Sequence, residues 1–327
     1  MTTASLARTL TATRRRRSAK RASIVTSIAM IVLIVLVAAT LFAPGLFAHL
    51  NPLFNGPDSL AAPSANHLFG TDQLGRDVFS RVIYGARPVL LASLGGVLLA
   101  TLAGVAIGII GGVAPRTISV VVMRIVDVLL ALPVLLIALI LIATIGAGVN
   151  SIILALGVAY TPGFARVVEA SVRKLRSIEY VEAAKVFGSS GLRTAFRHLL
   201  PNLVTEVVVM ASSAIGWAVL TATTLSFLGL GVQLPNPDWG SDLAAGATSL
   251  STAWWLSTFP GLAITLTILI ANFAGDWVMT LIDPAGRRTR TRFRALGGIR
   301  TGLPAAIAPG EPTALESAET PVLEEKA

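Results

Sequence analysis

The chain has 327 residues, of which 54% are hydrophobic and 13% are charged, about half the charged share of a typical soluble domain. Five segments contain no charged residue, and each is longer than the ~20 residues with which a helix crosses a bilayer core. These segments are residues 22–57, 88–115, 128–165, 207–237 and 243–275. A soluble core cannot bury five such segments, so the composition predicts an all-α polytopic membrane protein in contact with a lipid bilayer.

The residues that the sequence lacks exclude several functions. There is no Cys, so a disulfide framework and a thiol nucleophile are excluded, and the three His are too scattered for a metal site. The GxxxxGK[ST] phosphate loop is missing, so this chain is not expected to hydrolyse ATP by that route. The net charge of +9 would suit nucleic acid, but the cations flank the apolar segments, which indicates membrane topology and no nucleic-acid partner.

Six transmembrane helices are predicted. The length of the first, and the lack of a convincing cleavage site after it, favour a retained helix over a signal peptide. The third is expected to end before Gly146, because the 38 charge-free residues at 128–165 would make one helix of ~57 Å, nearly twice a bilayer core. The predicted spans are residues 23–43, 89–112, 118–145, 152–168, 203–230 and 259–282.

Lys and Arg residues set the expected orientation, because they accumulate on the cytoplasmic side of membrane proteins. With a cytoplasmic N-terminus, inner segments carry twenty-two of these cations and outer segments carry three, while Arg124 lies within a span. We therefore expect both termini to be cytoplasmic, in a bacterial plasma membrane. The tail at 285–327, whose last part is rich in Pro, Ala and Glu, is expected to be disordered.

Two patterns within the spans suggest packing roles. Arg124 and Asp127 are three residues apart on one helical face, which favours a buried ion pair that fixes helix packing, with a part in a translocation path as the alternative. The second span carries small residues at strict four-residue spacing, which lets another helix approach closely. These small residues are Ala100, Gly104, Gly108 and Gly112.

The long cytoplasmic connection at about 171–201 is the most informative segment. Apolar residues at helical spacing predict two short amphipathic helices at the inner membrane surface, separated by a turn at Gly188. Ala183 and Ala184 are small enough for close docking, and Glu182 offers a negative charge to a basic partner. Pro201 is tolerated in the first turn of the next helix.

Several motifs resemble those of ABC importer permeases. Glu182-Ala183-Ala184, then Gly188, then Leu200-Pro201 twelve residues later, are similar to the EAA…G…LP loop through which these permeases dock on their ATPases. Residues 70–87 (GTDQLGRDVFSRVIYGAR), 225–233 (LSFLGLGVQ) and 283–284 (DP) resemble the branch that transports dipeptides, oligopeptides and nickel. Ala222 occupies a position where many members of this family have an acidic residue. This difference puts a proton- or cation-sensitive role of the fifth span in doubt.

The resemblance implies a type I importer permease fold of six helices, paired with a second homologous permease. Two ABC ATPase subunits would bind below and an extracytoplasmic substrate-binding protein above, with ATP and Mg²⁺ on the ATPases and no cofactor on this chain. The ATPase-coupling residues would be Glu182, Ala183, Ala184, Phe187, Gly188, Leu200 and Pro201. The implied segments are a basic tail at 1–22, a first helix at 23–43, an outer segment at 44–88, the permease core at 89–284 and a cytoplasmic tail at 285–327.

Residues outside the membrane leave alternatives open. Asp72, Arg76 and Asp77 are expected either to contact the binding protein or, as we favour, to satisfy the backbone at the entry to the second span. Asp238 and Trp239 lie in an outer loop at 231–258, where Trp residues suit membrane-interface anchors better than substrate contacts. The cargo is expected to be peptides, with nickel chelates or other peptide-like molecules as alternatives. A secondary transporter or channel without ATPases is the competing class.

Overall fold

The computed structural model describes residues 44–48, 50–176, 197 and 199–282. The first predicted span, both tails and most of the coupling loop lie outside these residues. A short 3₁₀ helix covers Pro44–Leu46. The α-helices in the described part of the chain are α1 (Val78–Val113), α2 (Arg116–Leu130), α3 (Val134–Ile145), α4 (Val149–Arg176), α5 (Leu200–Phe227), α6 (Trp239–Ala247) and α7 (Trp255–Ile282).

Four of these helices are long and apolar enough to cross a membrane, namely α1, α4, α5 and α7 over Trp255–Gly275. A fifth span is obtained if α2 and α3 are counted together, although they meet at a bend of 93°. The predicted spans two, four, five and six each correspond to one helix. Their ends differ: α1 begins at Val78, within the predicted outer segment, and α4 continues to Arg176, beyond the predicted start of the coupling loop.

The third predicted span, at 118–145, is not one continuous helix. Pro133 interrupts it, and the chain resumes as a helix only at Val134. A proline disfavours helical geometry in the residue before it and cannot donate the backbone hydrogen bond that a continuous helix needs. The 93° bend follows at this position, so residues 116–145 form a bent pair.

The bundle has two ends, which we name by what lies there. At the α6 end, α1 begins, α5 ends, α7 begins, and the short helix α6 packs across them. At the loop end, α1 and α4 end and α5 begins, on either side of residues 177–199. Between the ends, the core is filled by side chains from α1, α3, α4 and α5, including Ala100, Ile142, Leu156, Phe164 and Leu225.

The stripe of small residues in α1 packs against α4, as predicted. Ala100 is fully buried, and a Cβ added at Gly108 would lie 2.7 Å from the carbonyl oxygen of Ala165. Added Cβ atoms at Gly104 and Gly112 would overlap side chains of α4. Glycine is therefore required here because the backbones of the two helices approach too closely for any side chain.

Candidate functional site

The predicted ATPase-coupling residues are divided between described and undescribed parts of the chain. Glu182, Ala183, Ala184, Phe187 and Gly188 lie outside the described residues, so their roles stay predictions. Leu200 and Pro201 are the first two residues of α5, with the proline in the first helical turn. A proline is tolerated there because the backbone N–H groups of a first turn have no partner within the helix.

The two ends of the coupling loop are held together. Val168 and Val172 of α4 are buried against Leu199 and Leu203 at the start of α5. The guanidinium of Arg176, in the last turn of α4, donates a hydrogen bond to the carbonyl of Gly112 in α1. The last turns of α4 and the start of α5, which flank the loop in sequence, therefore pack against each other and against α1.

A charged cluster connects α2 to α4 near the loop end. Asp127 Oδ1 lies 3.7 Å from Nη1 of Arg166, which lies 3.6 Å from Oε2 of Glu169, and Glu169 also pairs with Arg173. Glu169 is buried, whereas Arg166 and Asp127 are half-exposed. Arg173 Nη2 also donates to Ser119 Oγ of α2 at 3.3 Å.

The predicted pairing of Arg124 with Asp127 is corrected by this cluster. Asp127 is paired with Arg166 of α4, and none of the ion pairs among the described residues joins it to Arg124, whose side chain is exposed. The buried face of α2 is formed by Ser119, Met123 and Val126. Arg124 follows Met123 by one residue, which rotates it about 100° away from that face.

At the α6 end, Asp72 and Asp77 satisfy backbone groups, as the favoured interpretation predicted. Asp77 is the N-cap of α1, and its Oδ2 accepts a hydrogen bond from Ser80 N at 2.8 Å. Asp72 Oδ1 accepts from the backbone N–H groups of Leu74 and Arg76, each at 2.9 Å. Asp72 Oδ2 accepts from Arg76 Nε at 2.7 Å, which fixes the guanidinium in place.

Asp238 is the N-cap of α6. Its Oδ1 accepts hydrogen bonds from Gly240 N at 3.0 Å and Ser241 N at 3.1 Å, and its Oδ2 accepts one from Ser226 Oγ at 3.3 Å. Burial raises the pKa of Asp238 to about 6, despite the opposing effect of these hydrogen bonds. This carboxyl therefore titrates within a range that solution experiments reach easily.

The Trp residues of the outer loop have different environments. Trp239 is buried and its indole N–H donates to the carbonyl of Val82 at 2.7 Å. Trp255 is buried as well, and donates to the carbonyl of Thr71 at 3.1 Å. Only Trp254, which is 52% exposed, has the accessibility of an interface anchor among these three. The anchor interpretation is therefore wrong for Trp239 and Trp255, which join α6 and α7 to the start of α1.

A buried ionic network was not predicted from the sequence. Arg81 of α1 pairs with Asp242 of α6 through Nε at 3.1 Å and through Nη2, and its Nε lies 3.9 Å from Oδ2 of Asp72. Arg81 Nη1 donates to the carbonyls of Pro52 and Pro235. Burial raises the pKa of Asp242, an effect that Arg81 partly offsets. Arg81 and Asp242 are 161 residues apart, so no local sequence pattern indicates their pairing.

The described residues contain no group of His, Cys, Asp and Glu side chains that could hold a metal ion. The described part of the chain therefore presents helices packed for membrane insertion, a platform of capped loops at the α6 end, and a packed base for the coupling loop.

A family profile described as "Binding-protein-dependent transport system inner membrane component" matches residues 104–288. The chain belongs to this family. Membership confirms the resemblance to importer permeases that the coupling-loop motif predicted. Family membership and the apolar helices together identify an integral membrane permease subunit.

Similar proteins support the same conclusion. The dipeptide transport system permease protein DppC of Escherichia coli (strain K12) is 44% identical over 262 residues, covering 78% of this chain and 86% of the relative. A putative peptide transport system permease protein of Brucella suis is 38% identical over 264 residues, covering 79% and 86%. Among solved structures, the MetNI methionine ABC transporter in an inward-facing conformation has a chain with a TM-score of 0.52 and 17% identity, covering 62% of this chain and 96% of that one. This last similarity shows the fold.

Proposed function

We propose that this chain is the permease subunit of an ATP-driven importer that moves dipeptides and oligopeptides into the cytoplasm. The observation that carries the proposal is the 44% identity to a dipeptide permease over most of both chains. Further support comes from residues 70–87, because the motif that suggested the peptide branch forms the capped turn and the first turns of α1 at the α6 end.

The proposed coupling runs through the loop at 177–199. ATP binding would close a pair of partner ATPases, and the docked loop would move with them. Glu182 would make the electrostatic contact, Ala183, Ala184 and Phe187 the packing contacts, and Gly188 the turn. Because the loop ends pack on each other at Val172 and Leu203, displacement of the loop would shift α4 and α5 together.

The charged cluster supplies a second route for this movement. Arg166 and Arg173 are on α4, just before the loop, and they contact Asp127 and Ser119 of α2. A shift of α4 would therefore be transmitted to the bent pair α2–α3. ATP and Mg²⁺ would be bound by the partner ATPases, and this chain would contribute movement without a cofactor of its own.

The proposed assembly has a second homologous permease, two ATPase subunits and an extracytoplasmic binding protein. Both termini would be cytoplasmic, which places the α6 end outside, facing the binding protein, and the loop end inside, facing the ATPases. The distribution of Lys and Arg supports this orientation, since the last turn of α4 carries Arg173, Lys174 and Arg176.

Uptake of a radiolabelled dipeptide into proteoliposomes tests the proposed cargo. The chain is reconstituted with a second permease and two ATPases as the proposed partner subunits, and the binding protein is added outside. We expect uptake that requires both internal ATP and the binding protein. Uptake of a nickel chelate but not of the dipeptide would contradict the cargo, and uptake without ATP would contradict the class of transporter.

A further inference from the structure

The bent pair α2–α3 has an exposed break in its backbone. Residues 131–133 separate the two helices in the middle of this candidate span. No hydrogen bond found among the described residues ends on the carbonyl oxygen of Leu130, Ala131 or Leu132, and the three side chains are exposed. A break at membrane depth is tolerated only where protein covers it or water reaches it. The described part of this chain does not cover the break, so water or another subunit has to.

Arg124 lies on the face of α2 that leads to this break. Residues seven apart differ by only about 20° around a helix, and Ala131, the C-cap of α2, keeps helical backbone angles. Thr117, Arg124 and Ala131 therefore form one row along α2, and all three are exposed. The side chains beside Arg124 on this face are exposed valines, namely Val120, Val121 and Val128.

The charge of Arg124 is not neutralised by the described ranges of this chain. None of the ion pairs there includes Arg124, and Asp127, the nearest carboxylate in sequence, lies 3.7 Å from Arg166. A charge within a membrane span is costly unless it faces a bundle interior or water. Arg124 is turned away from the buried face of α2, which leaves water as the environment that suits it.

One wet surface would satisfy both features. Water on this side of α2 would solvate the guanidinium of Arg124 and the carbonyls of the break together. A phospholipid phosphate could pair with Arg124, but it would leave the break in hydrocarbon, because Ala131 lies about 10 Å further along the helix from the loop end. The break therefore favours a water-filled path over lipid.

A wet face that carries a cation suits the cargo of this permease. A peptide has a C-terminal carboxylate, and a guanidinium binds a carboxylate through two parallel hydrogen bonds. We propose that this face of α2 lines the cargo path and that Arg124 binds the C-terminal carboxylate of the peptide in transit. Because Arg124 is exposed, the contact is weak enough for release, as a transport path requires. The inference rests on the function proposed above, from which the cargo is taken.

Cysteine labelling tests whether water reaches the break. The chain has no Cys, so each single-Cys variant carries one thiol. The importer is assembled in lipid nanodiscs from the full chain and its proposed partner subunits, without ATP. A membrane-impermeant methanethiosulfonate is added, and the mass of this chain reports the reaction. We expect Ala131→Cys to react. An unreactive Ala131→Cys would show that lipid or another subunit covers this face, and would overturn the proposal.

Protection by cargo tests the contact with Arg124. Val121 is exposed and lies one turn before Arg124, on the side toward which helical side chains point. L-alanyl-L-alanine should slow the labelling of Val121→Cys. Its C-terminal amide lacks the carboxylate, so equal protection should need a concentration roughly tenfold to hundredfold higher. Equal protection by the two compounds at one concentration, or none by the dipeptide, would overturn the proposal.

Further variants assign the protection to Arg124. Arg124→Gln in the Val121→Cys chain should remove the difference between the dipeptide and its amide, and a difference that persists would overturn the proposal. If Arg124→Gln fails to fold, Arg124→Lys keeps the charge without the paired donors and should reduce the difference. Ala62→Cys, at an exposed position before α1, is the control, and slowed labelling there as well would also overturn the proposal. Loss of protection with intact dipeptide uptake would refute this inference alone, whereas absence of dipeptide uptake would refute the proposed function.

Discussion

Arg81, the fourth residue of α1, binds the carboxylate of Asp242 in α6, with its Nε 3.1 Å from Oδ1. The two residues are 161 positions apart in the sequence. Both side chains are largely buried. The pair joins the start of the first described span to the short helix that packs across the α6 end. Residues 231–258 are therefore fixed to the bundle as a platform, where the composition alone had indicated a loop.

Removing one member of this pair should destabilise the protein strongly. Asp242→Asn removes the nearer of the two anions beside the buried Arg81 charge and leaves it only the 3.9 Å contact with Asp72, which we expect to cost about 3 kcal/mol of unfolding free energy. Thermal unfolding of the purified chain in detergent measures the effect as a lowered Tm. The double variant Arg81→Met with Asp242→Leu removes both charges and should lose less. A double variant less stable than Asp242→Asn would contradict a purely electrostatic origin.

Stability should fall as the pH rises through the titration of Asp238. Its pKa is raised from 3.8 to about 6 in the folded protein, so the folded state binds more protons than the unfolded state between these values. The stabilisation is complete below pH 4 and is lost by about pH 6, with a change on the order of 2–3 kcal/mol for this group. Unfolding midpoints measured across pH 4–7 test the sign.

Asp238→Asn is the matched control for this pH dependence. Asparagine is also a good N-cap, so α6 should still begin at residue 239 while the titrating group is removed. The slope between pH 4 and 6 should become shallower. It should not vanish, because the pKa of Asp242 is raised as well and acts in the same direction. An unchanged slope would show that Asp238 is not the group responsible.

The close approach of α1 and α4 predicts intolerance to side chains in the stripe. Gly108→Ala places a Cβ 2.7 Å from the carbonyl oxygen of Ala165, which forces the two helices apart at a cost of roughly 1–3 kcal/mol. Gly163→Ala makes the same change within α4, where the nearest atom, Met210 Cε, is 3.9 Å away. Thermal unfolding should separate the two variants, and equal Tm values would contradict the described packing.

The corrected pairing in α2 makes a further prediction. Asp127→Asn loses the contact with Arg166, whereas Arg124→Gln removes an exposed charge that has no ion pair among the described residues. Because Asp127 and Arg166 are half-exposed, the loss for Asp127→Asn should be below about 1 kcal/mol, and Arg124→Gln should have no measurable effect. A double-mutant cycle between residues 127 and 166 measures the pair. A larger coupling between 127 and 124 would restore the original prediction.

Much of this fold follows from charge-free segments, because long apolar runs have few alternatives to membrane helices. The contact of the small-residue stripe in α1 with another helix was also predictable, because small residues at four-residue spacing lie on one helical face and allow another helix to approach closely. The bend at Pro133 was missed although its signal was present, since hydrophobicity alone does not distinguish one long helix from two.

The α6 end was predictable only in part. The capping roles of Asp72 and Asp77 are local, and turn chemistry indicated them. The burial of Trp239 and the pairing of Arg81 with Asp242 depend on contacts between residues far apart in sequence. The periodicity of apolar residues within a segment does not indicate such contacts. The sequence around Asp238 does not indicate that its pKa is raised, because the shift arises from burial of this side chain in the folded protein.

The central claim is that the loop containing Glu182 and Gly188 transmits ATP hydrolysis to the helices. ATP-driven dipeptide uptake and ATPase activity, measured together in proteoliposomes for Gly188→Asp and Glu182→Lys, test it most directly. Glu179→Lys, the same charge change outside the motif, is the control. We predict that both motif variants insert and assemble in the membrane but lose uptake relative to ATP hydrolysed, while the control retains it. Normal uptake by Gly188→Asp and Glu182→Lys would contradict the account.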